Sequence, residues 1–178
     1  MQLLPGTEAD VHPVRNVWDR SFPPSSKCPP APADEPTIYS SLLHQSSFHV
    51  LGNKCYNRTI SSPAPSPAEA LLLDQELQQW HQRLPTYLRT DQAADSGTSP
   101  WLAFSAQKLF WRYSNLRIIL GRRSFLERAL KSSTMSVTDD PDSRSASICL
   151  TAALETVRAI SYFCSTHISN RLEKWYQL

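Results

Sequence analysis

Glycine is scarce in this chain of 178 residues, with four in all. A loop that cradles phosphates needs closely spaced glycines, because its backbone amides must approach the anion. The four glycines are scattered, so nucleotide binding through such a loop is excluded. The fourteen prolines crowd mainly into the first half. Together these features favour an all-α fold with extended proline-bearing segments over a β-sandwich with many tight turns.

Close cysteine pairs are also absent, since Cys28, Cys55, Cys149 and Cys164 lie far apart. Zinc sites and redox dithiols usually place two cysteines within about two to four residues of each other. The spacing therefore predicts free thiols and no metal site. Cys149 and Cys164 are 15 residues apart, which returns them to nearly the same helix face. Both are predicted to lie in the core as small hydrophobic residues.

Runs of one charge and long apolar stretches are missing. The 18 Lys and Arg residues are dispersed and the formal net charge is +2, so no arm that neutralises a row of phosphates is predicted. No stretch reaches the roughly 18–20 apolar residues of a membrane helix, and the Met1 end lacks the basic start and apolar stretch of a signal peptide. We expect a soluble intracellular protein without a membrane partner.

A catalytic constellation is not recognisable. Hydrolases need a nucleophile, a base and an orienting group in one place. The candidate bases are the five histidines, and none of them lies in a recognisable catalytic motif: His12, His44, His49, His81 and His167. On a helix His44 and His49 point about 140° apart, which makes them poor partners for one metal. His81 is predicted to lie at a core boundary, and the Asn57-Arg58-Thr59 glycosylation triplet is interpreted as a helical coincidence. We predict no enzyme activity, no catalytic residue and no cofactor.

Prolines divide the chain into a leader and helices. Residues 1–36 are predicted to be an extended leader, in which Trp18 and Phe22 are the candidates for anchoring it to the body. Thr37 is predicted to cap a first helix that ends before Pro63, with apolar residues every three or four positions: Ile38, Leu42, Leu43, Phe48, Val50, Leu51, Tyr56 and Ile60. A capping box then starts a second helix with Ser66, Pro67 and Glu69. Its predicted buried face consists of Leu73, Leu77, Trp80, His81 and Leu84.

Two more helices follow a polar loop over 92–99. Ser99 and Pro100 start a third helix, which is predicted to run to about Ala129 and is apolar around most of its circumference, as is typical of a central helix. Asp139 or Asp140 is predicted to cap a fourth helix with Pro141 in its first turn. The predicted buried stripe of that helix is Cys149, Ala153, Val157, Ile160 and Cys164, widened by Leu150, Leu154 and Phe163. Residues 171–178 start a further element.

The third helix also carries a basic group, which consists of Arg112, Arg117, Arg122, Arg123, Arg128 and Lys131. One interpretation is that these side chains snorkel at the edges of a buried helix, pair with carboxylates and favour its negative end. The other is that they form a face that recognises an anion or docks a partner. Both interpretations remain open from the sequence.

Five stretches carry a family signature: Leu73-Asp74-Gln75-Glu76-Leu77-Gln78-Gln79-Trp80, Leu84-Pro85-Thr86-Tyr87-Leu88-Arg89, Pro100-Trp101-Leu102, Leu109-Phe110-Trp111-Arg112-Tyr113-Ser114-Asn115-Leu116-Arg117-Ile118-Ile119-Leu120 and Cys149-Leu150-Thr151-Ala152-Ala153. In this order they resemble the middle homology region of fungal zinc-cluster transcription factors. The resemblance covers about Thr37 to the end. It implies a nuclear, all-α, non-catalytic regulatory domain over 37–178, which contacts other regions of a parent factor or a co-regulator and responds in some members to a small-molecule effector.

Zinc and DNA contact belong, in that family, to a separate module with six closely spaced cysteines. The four distant cysteines here cannot build it, so no direct DNA contact is expected. Gly121-Arg122-Arg123 stands where many members carry an aromatic residue and an arginine–proline pair. The chain also ends near Trp175-Tyr176, where the family domain continues, so we expect a partial domain. The alternatives are a stand-alone helical module that binds a ligand or a partner, and a truncated gene product without function.

Overall fold

Four α-helices make up most of the chain that the computed structural model describes, which is Val17 and residues 35–90, 99–131 and 140–166. They are α1 (Ser40–Ile60), α2 (Pro67–Gln82), α3 (Pro100–Lys131) and α4 (Pro141–Thr166), with a short 3-10 helix at Thr86–Leu88 after α2. These ranges contain no strand, which confirms the predicted all-α class. Outside the described residues lie the predicted further element at 171–178, the loop over 92–98 and nearly all of the leader, including Trp18 and Phe22.

The chain divides into two compact units, at residues 1–47 and 48–178. In the first unit a hydrogen-bonded turn precedes α1. The Thr37 hydroxyl accepts a hydrogen bond from the Tyr39 amide at 3.1 Å, and the Thr37 carbonyl accepts one from the Ser40 amide at 3.0 Å. The helix therefore begins at Ser40 rather than directly after Thr37.

The start of α2 confirms the predicted capping box. The Ser66 hydroxyl accepts from the Glu69 amide at 3.2 Å, and the Glu69 carboxylate accepts from the Ser66 amide at 2.8 Å. The predicted face of α2 also points inward, with Leu73, Leu77 and Leu84 buried. This agreement follows because a local signal fixes where the helix starts and hence which residues share a face.

The core of the second unit is built around α3, as predicted for a central helix. One buried cluster joins residues of α1, α2 and α3: Phe48, Cys55, Ala70, Leu73, Leu77, Tyr113, Leu116 and Leu120. A second cluster packs Leu88 of the 3-10 helix against Leu102, Ala106 and Leu109 of α3. The remaining side of α3 packs along α4.

The predicted cap of α4 is correct, and so is the burial of Cys149 and Phe163, but the register of the predicted inner face is otherwise wrong. Asp140 Oδ1 accepts from the Ser143 amide at 2.6 Å, and the helix begins at Pro141. The buried residues are, however, Ser145, Ala146, Cys149, Ala152 and Phe163. Cys164 is exposed and Val157 is 65% exposed. Small residues face α3 because the two helices touch: a Cβ added at Gly121 would lie 2.5 Å from the Ser145 carbonyl oxygen.

The predicted apolar face of α1 is also largely wrong. Phe48 is buried as predicted, but Val50 is 74% exposed and Ile60 is 78% exposed. Three further predicted members of the face are also exposed, though less so: Ile38, Leu42 and Tyr56. The small residues Gly52 and Cys55 are buried instead. Apolar residues on α1 are too evenly distributed around the helix for their spacing to select the inner face.

Candidate functional site

A buried ion pair joins α2 to α3. Arg117 Nε donates to Asp74 Oδ1 at 2.7 Å, and Gln78 Nε2 donates to Asp74 Oδ2 at 2.6 Å. Asp74 is 2% exposed. Burial acts to lower the pKa of Arg117, but the hydrogen bond and the charge of Asp74 outweigh it and raise that pKa above its ordinary value. The partner of Asp74, the Arg117 guanidinium, is thus permanently charged.

Aromatic rings surround this ion pair on one side. The Arg117 guanidinium lies 5.4 Å from the centre of the Tyr113 ring, and the His81 ring stacks on Tyr113 with centroids 4.5 Å apart. Burial raises the pKa of the Tyr113 hydroxyl in spite of the nearby arginine, so the phenol stays neutral. His81 is half-buried, which confirms the prediction of a boundary position.

The basic group of α3 does not form a single face. Arg117 points to Asp74, and Arg123 donates to Glu127 at 2.8 Å on the exposed side. Arg112 approaches Nε2 of His49 at 3.4 Å, while Arg122 is exposed. Pairing with carboxylates is confirmed for Arg117 and Arg123, and the Lys131 side chain lies outside the described residues.

An open groove of about 680 Å³ runs beside the second half of α3. Its apolar lining includes Ala70, Leu120, Leu126 and Leu130. Three arginines line the groove; Arg58 pairs with Glu69 at 2.8 Å and Arg123 with Glu127, and Arg122 is the third. Three carboxylates, Glu69, Glu127 and Asp142, balance these three arginines in the lining, so the groove offers apolar surface without a net charge.

The thiols and histidines are dispersed. Cys55 and Cys149 are buried and free, and burial, with a smaller effect of Glu76, raises the pKa of Cys55 to about 11. Cys164 is free and exposed. Burial lowers the pKa of His44. Within the described ranges no three His, Cys, Asp or Glu side chains are placed to hold a metal; His12, His167 and Cys28 fall outside those ranges.

A row of apolar side chains on the outside of α4 is the most distinctive surface feature. We call Leu150, Leu154 and Val157 the outer α4 stripe; they are 45%, 47% and 65% exposed. Their intervals of four and three residues continue to Ser161 and Cys164. This alternation is typical of a helix that packs against a second helix. The spacing is visible in the sequence, but the sequence analysis predicts these residues on the inner side of the helix, which is wrong.

The same helix is long and apolar enough to cross a membrane by length and composition. This corrects the expectation that no such stretch exists. It is weak evidence for a membrane segment, because a helix that packs in a protein core meets the same criterion. In α4 the inner side packs against α3 through Ser145 and Cys149.

No protein-family model, curated protein or solved structure matches the chain. The family resemblance therefore rests on the five signature stretches alone. Asp74 and Arg117 come from two of these stretches and form the buried pair. Cys149, from a third, donates from Sγ to the Ile118 carbonyl at 3.5 Å.

Proposed function

We propose that this chain is a regulatory domain, or part of one, of a fungal zinc-cluster transcription factor. It acts in the nucleus through helix contacts, and the zinc-binding, DNA-reading module is separate from it. The resemblance supports this assignment because the signature residues are the ones that pack together. Leu73 and Leu77 lie in one core cluster with Tyr113, Leu116 and Leu120.

The outer α4 stripe is the observation that carries the proposal. An apolar row with intervals of four and three residues fits the seam between two helices, since this spacing keeps the row facing its partner. The stripe itself bears no charge, and Arg158 lies exposed beside it. The occupant we propose is an amphipathic helix of the parent factor with apolar residues at the same spacing and an acidic residue opposite Arg158.

A reporter assay tests this role. The chain is inserted between a heterologous DNA-binding module and a constitutive activation segment in a fungal cell, and reporter output is compared with the fusion that lacks the chain. We expect output to change several-fold, because a regulatory domain restrains or modulates an attached activator. Leu154→Glu should remove this effect, since it places a charge in the stripe.

Leu130→Glu is the matched control for that substitution. Leu130 is apolar and 88% exposed on α3, outside the outer α4 stripe, so its replacement should leave the effect intact. Equal output with and without the chain, at equal protein levels, would contradict the regulatory role. Sequence-specific binding of the isolated chain to a DNA duplex at moderate salt would contradict the separation of DNA reading from this domain.

The alternative is a stand-alone helical module that binds an apolar ligand. The groove of about 680 Å³ favours it, because ligand sites of several hundred Å³ with mostly apolar lining are typical of proteins. A fluorescent fatty-acid analogue should then bind the purified chain. Leu126→Glu in the groove should abolish that binding signal, while Val157→Glu on α4 should not. The regulatory role predicts the reverse in the reporter assay, where substitutions in the outer α4 stripe remove the effect and Leu126→Glu does not.

A further inference from the structure

A second, smaller cleft separates α1 from α3 within the 48–178 unit. It has a volume of about 310 Å³. On α1 its lining residues follow one helix face, and on α3 they occupy one turn: His49, Gly52, Asn53 and Tyr56, then Arg112, Asn115 and Leu116. Its volume lies at the lower end of the range for small-molecule sites, about 300–1,000 Å³. A molecule with one or two rings fits this space.

The charge of the cleft comes from Arg112. It is the only Arg, Lys, Asp or Glu among the lining residues, and none of the ion pairs within the described residues includes it. Its Nη1 lies 3.4 Å from Nε2 of the exposed His49 ring. The larger groove differs in this respect, because three carboxylates, Glu69, Glu127 and Asp142, balance the three arginines of its lining. The small cleft therefore favours an anion.

The remaining lining provides hydrogen-bonding amides and a flat apolar surface. Asn53 and Asn115 are exposed, and Tyr56 is 44% exposed. Leu116 and Gly52 are buried. A guanidinium with amides beside an aromatic ring is suited to a planar group that ends in a carboxylate.

Gly52 keeps this cleft open. Glycine is less favourable than alanine in the interior of a helix, and the packing around position 52 does not require a glycine. A Cβ at this position would lie 3.6 Å from Leu116 Cδ1, an ordinary van der Waals contact. An alanine is thus sterically acceptable in the fold, and its methyl group would occupy space beside Leu116.

We propose that the cleft between α1 and α3 binds a small aromatic carboxylate. The carboxylate accepts two hydrogen bonds from Arg112, the amides of Asn53 and Asn115 bind further polar groups, and the ring packs against Leu116 and Tyr56. This site does not depend on the regulatory function. If both exist, the cleft is where an effector of this class binds.

The probe for a first test is 2-naphthoate, with uncharged 2-naphthamide as the matched ligand. Titrations are followed by calorimetry and by the side-chain amide signals of Asn53 and Asn115 in ¹H–¹⁵N spectra. We expect 2-naphthoate to bind at least about tenfold more tightly than the amide, since a hydrogen bond to a charged group is worth this factor or more. The amide signals of both asparagines should shift.

Two variants and one control variant decide whether the cleft is responsible. Arg112→Gln should weaken 2-naphthoate binding about tenfold or more and leave 2-naphthamide unaffected, while Arg122→Gln, an exposed arginine on the same helix, should change neither. Gly52→Ala should weaken both ligands and raise the melting temperature, which separates lost space from lost folding. Equal binding of the two ligands, an unchanged affinity in Arg112→Gln, or shifts confined to the larger groove would overturn the proposal.

Discussion

Arg117 donates a hydrogen bond of 2.7 Å to Asp74, a residue 43 positions earlier in the chain. The contact fixes α2 against α3 through a charge pair with side chains 13% and 3% exposed. Removing one partner from such a pair leaves an uncompensated buried charge, which costs far more than the pair contributes.

Arg117→Met should therefore destabilise the protein by about 3–5 kcal/mol, because Asp74 is left charged and buried. Urea unfolding followed by circular dichroism measures this change. Adding Asp74→Asn to that variant should recover part of the loss. Lys54→Gln breaks the exposed pair of Lys54 with Glu76 and should cost no more than about 1 kcal/mol; equal losses in Lys54→Gln and Arg117→Met would contradict the difference in burial.

Substitution by alanine should change the stability of the protein in opposite directions at Gly52 and Gly121, the two glycines in the described helices. At Gly121 a Cβ would lie 2.5 Å from the Ser145 oxygen and 2.8 Å from Cys149 Cβ, so Gly121→Ala should destabilise by about 1–3 kcal/mol. Gly52→Ala meets only an ordinary contact and should stabilise by about 0.5–1 kcal/mol. Thermal unfolding of both variants checks the pair. A stabilised Gly121→Ala would mean that α3 and α4 are not in close contact there.

The described cysteines should differ in reactivity. Cys164 is exposed and should be alkylated rapidly by iodoacetamide near pH 8. Cys55 is 1% exposed, and its pKa of about 11, raised mainly by burial, leaves little thiolate at that pH. Peptide-resolved mass spectrometry should show slow labelling of Cys55 and Cys149 until urea unfolds the chain. Early labelling of Cys55 would argue against its place in the core.

Glu69 should make stability depend on acidic pH. Its hydrogen bonds from the Ser66 amide and from Arg58 hold its pKa below the ordinary value of 4.5. A carboxyl group whose pKa is lower in the folded state stabilises the fold above its unfolded pKa, and this contribution is lost as the pH falls through the folded value. The melting-temperature difference between wild type and Glu69→Gln should shrink from pH 6 to pH 3. A difference independent of pH would exclude the charge as its cause.

Local signals allowed the fold class and the starts of α2, α3 and α4 to be predicted from the sequence, whereas α1 begins at Ser40 rather than directly after Thr37. Ser66, Pro67 and Glu69 fix the start of α2 within one turn, and Asp140 with Pro141 does the same for α4. The burial of Asp74 was not predictable in this way. Its partner lies on another helix, and a carboxylate between Leu73 and Leu77 gives no periodic signal for its pairing.

The inner side of α4 was misassigned for a similar reason. Pattern analysis places large apolar residues inward, and Leu150, Leu154 and Val157 satisfy that rule. Close contact with α3 at Gly121 instead brings the small residue Ser145 inward, beside the correctly predicted Cys149. Which residues of α4 are buried here depends on the partner helix, so the spacing of apolar residues within α4 cannot predict it.

A substitution scan along α4 in the reporter fusion tests the central claim most directly. Glutamate is placed singly at 150, 151, 154, 157 and 158, all of them exposed, and each fusion is checked for equal protein level. The regulatory account predicts that the effect of the chain is lost at 150, 154 and 157 and kept at Thr151→Glu. Arg158→Glu should weaken the effect only partly. A scan in which the three stripe positions behave like Thr151 would contradict the account.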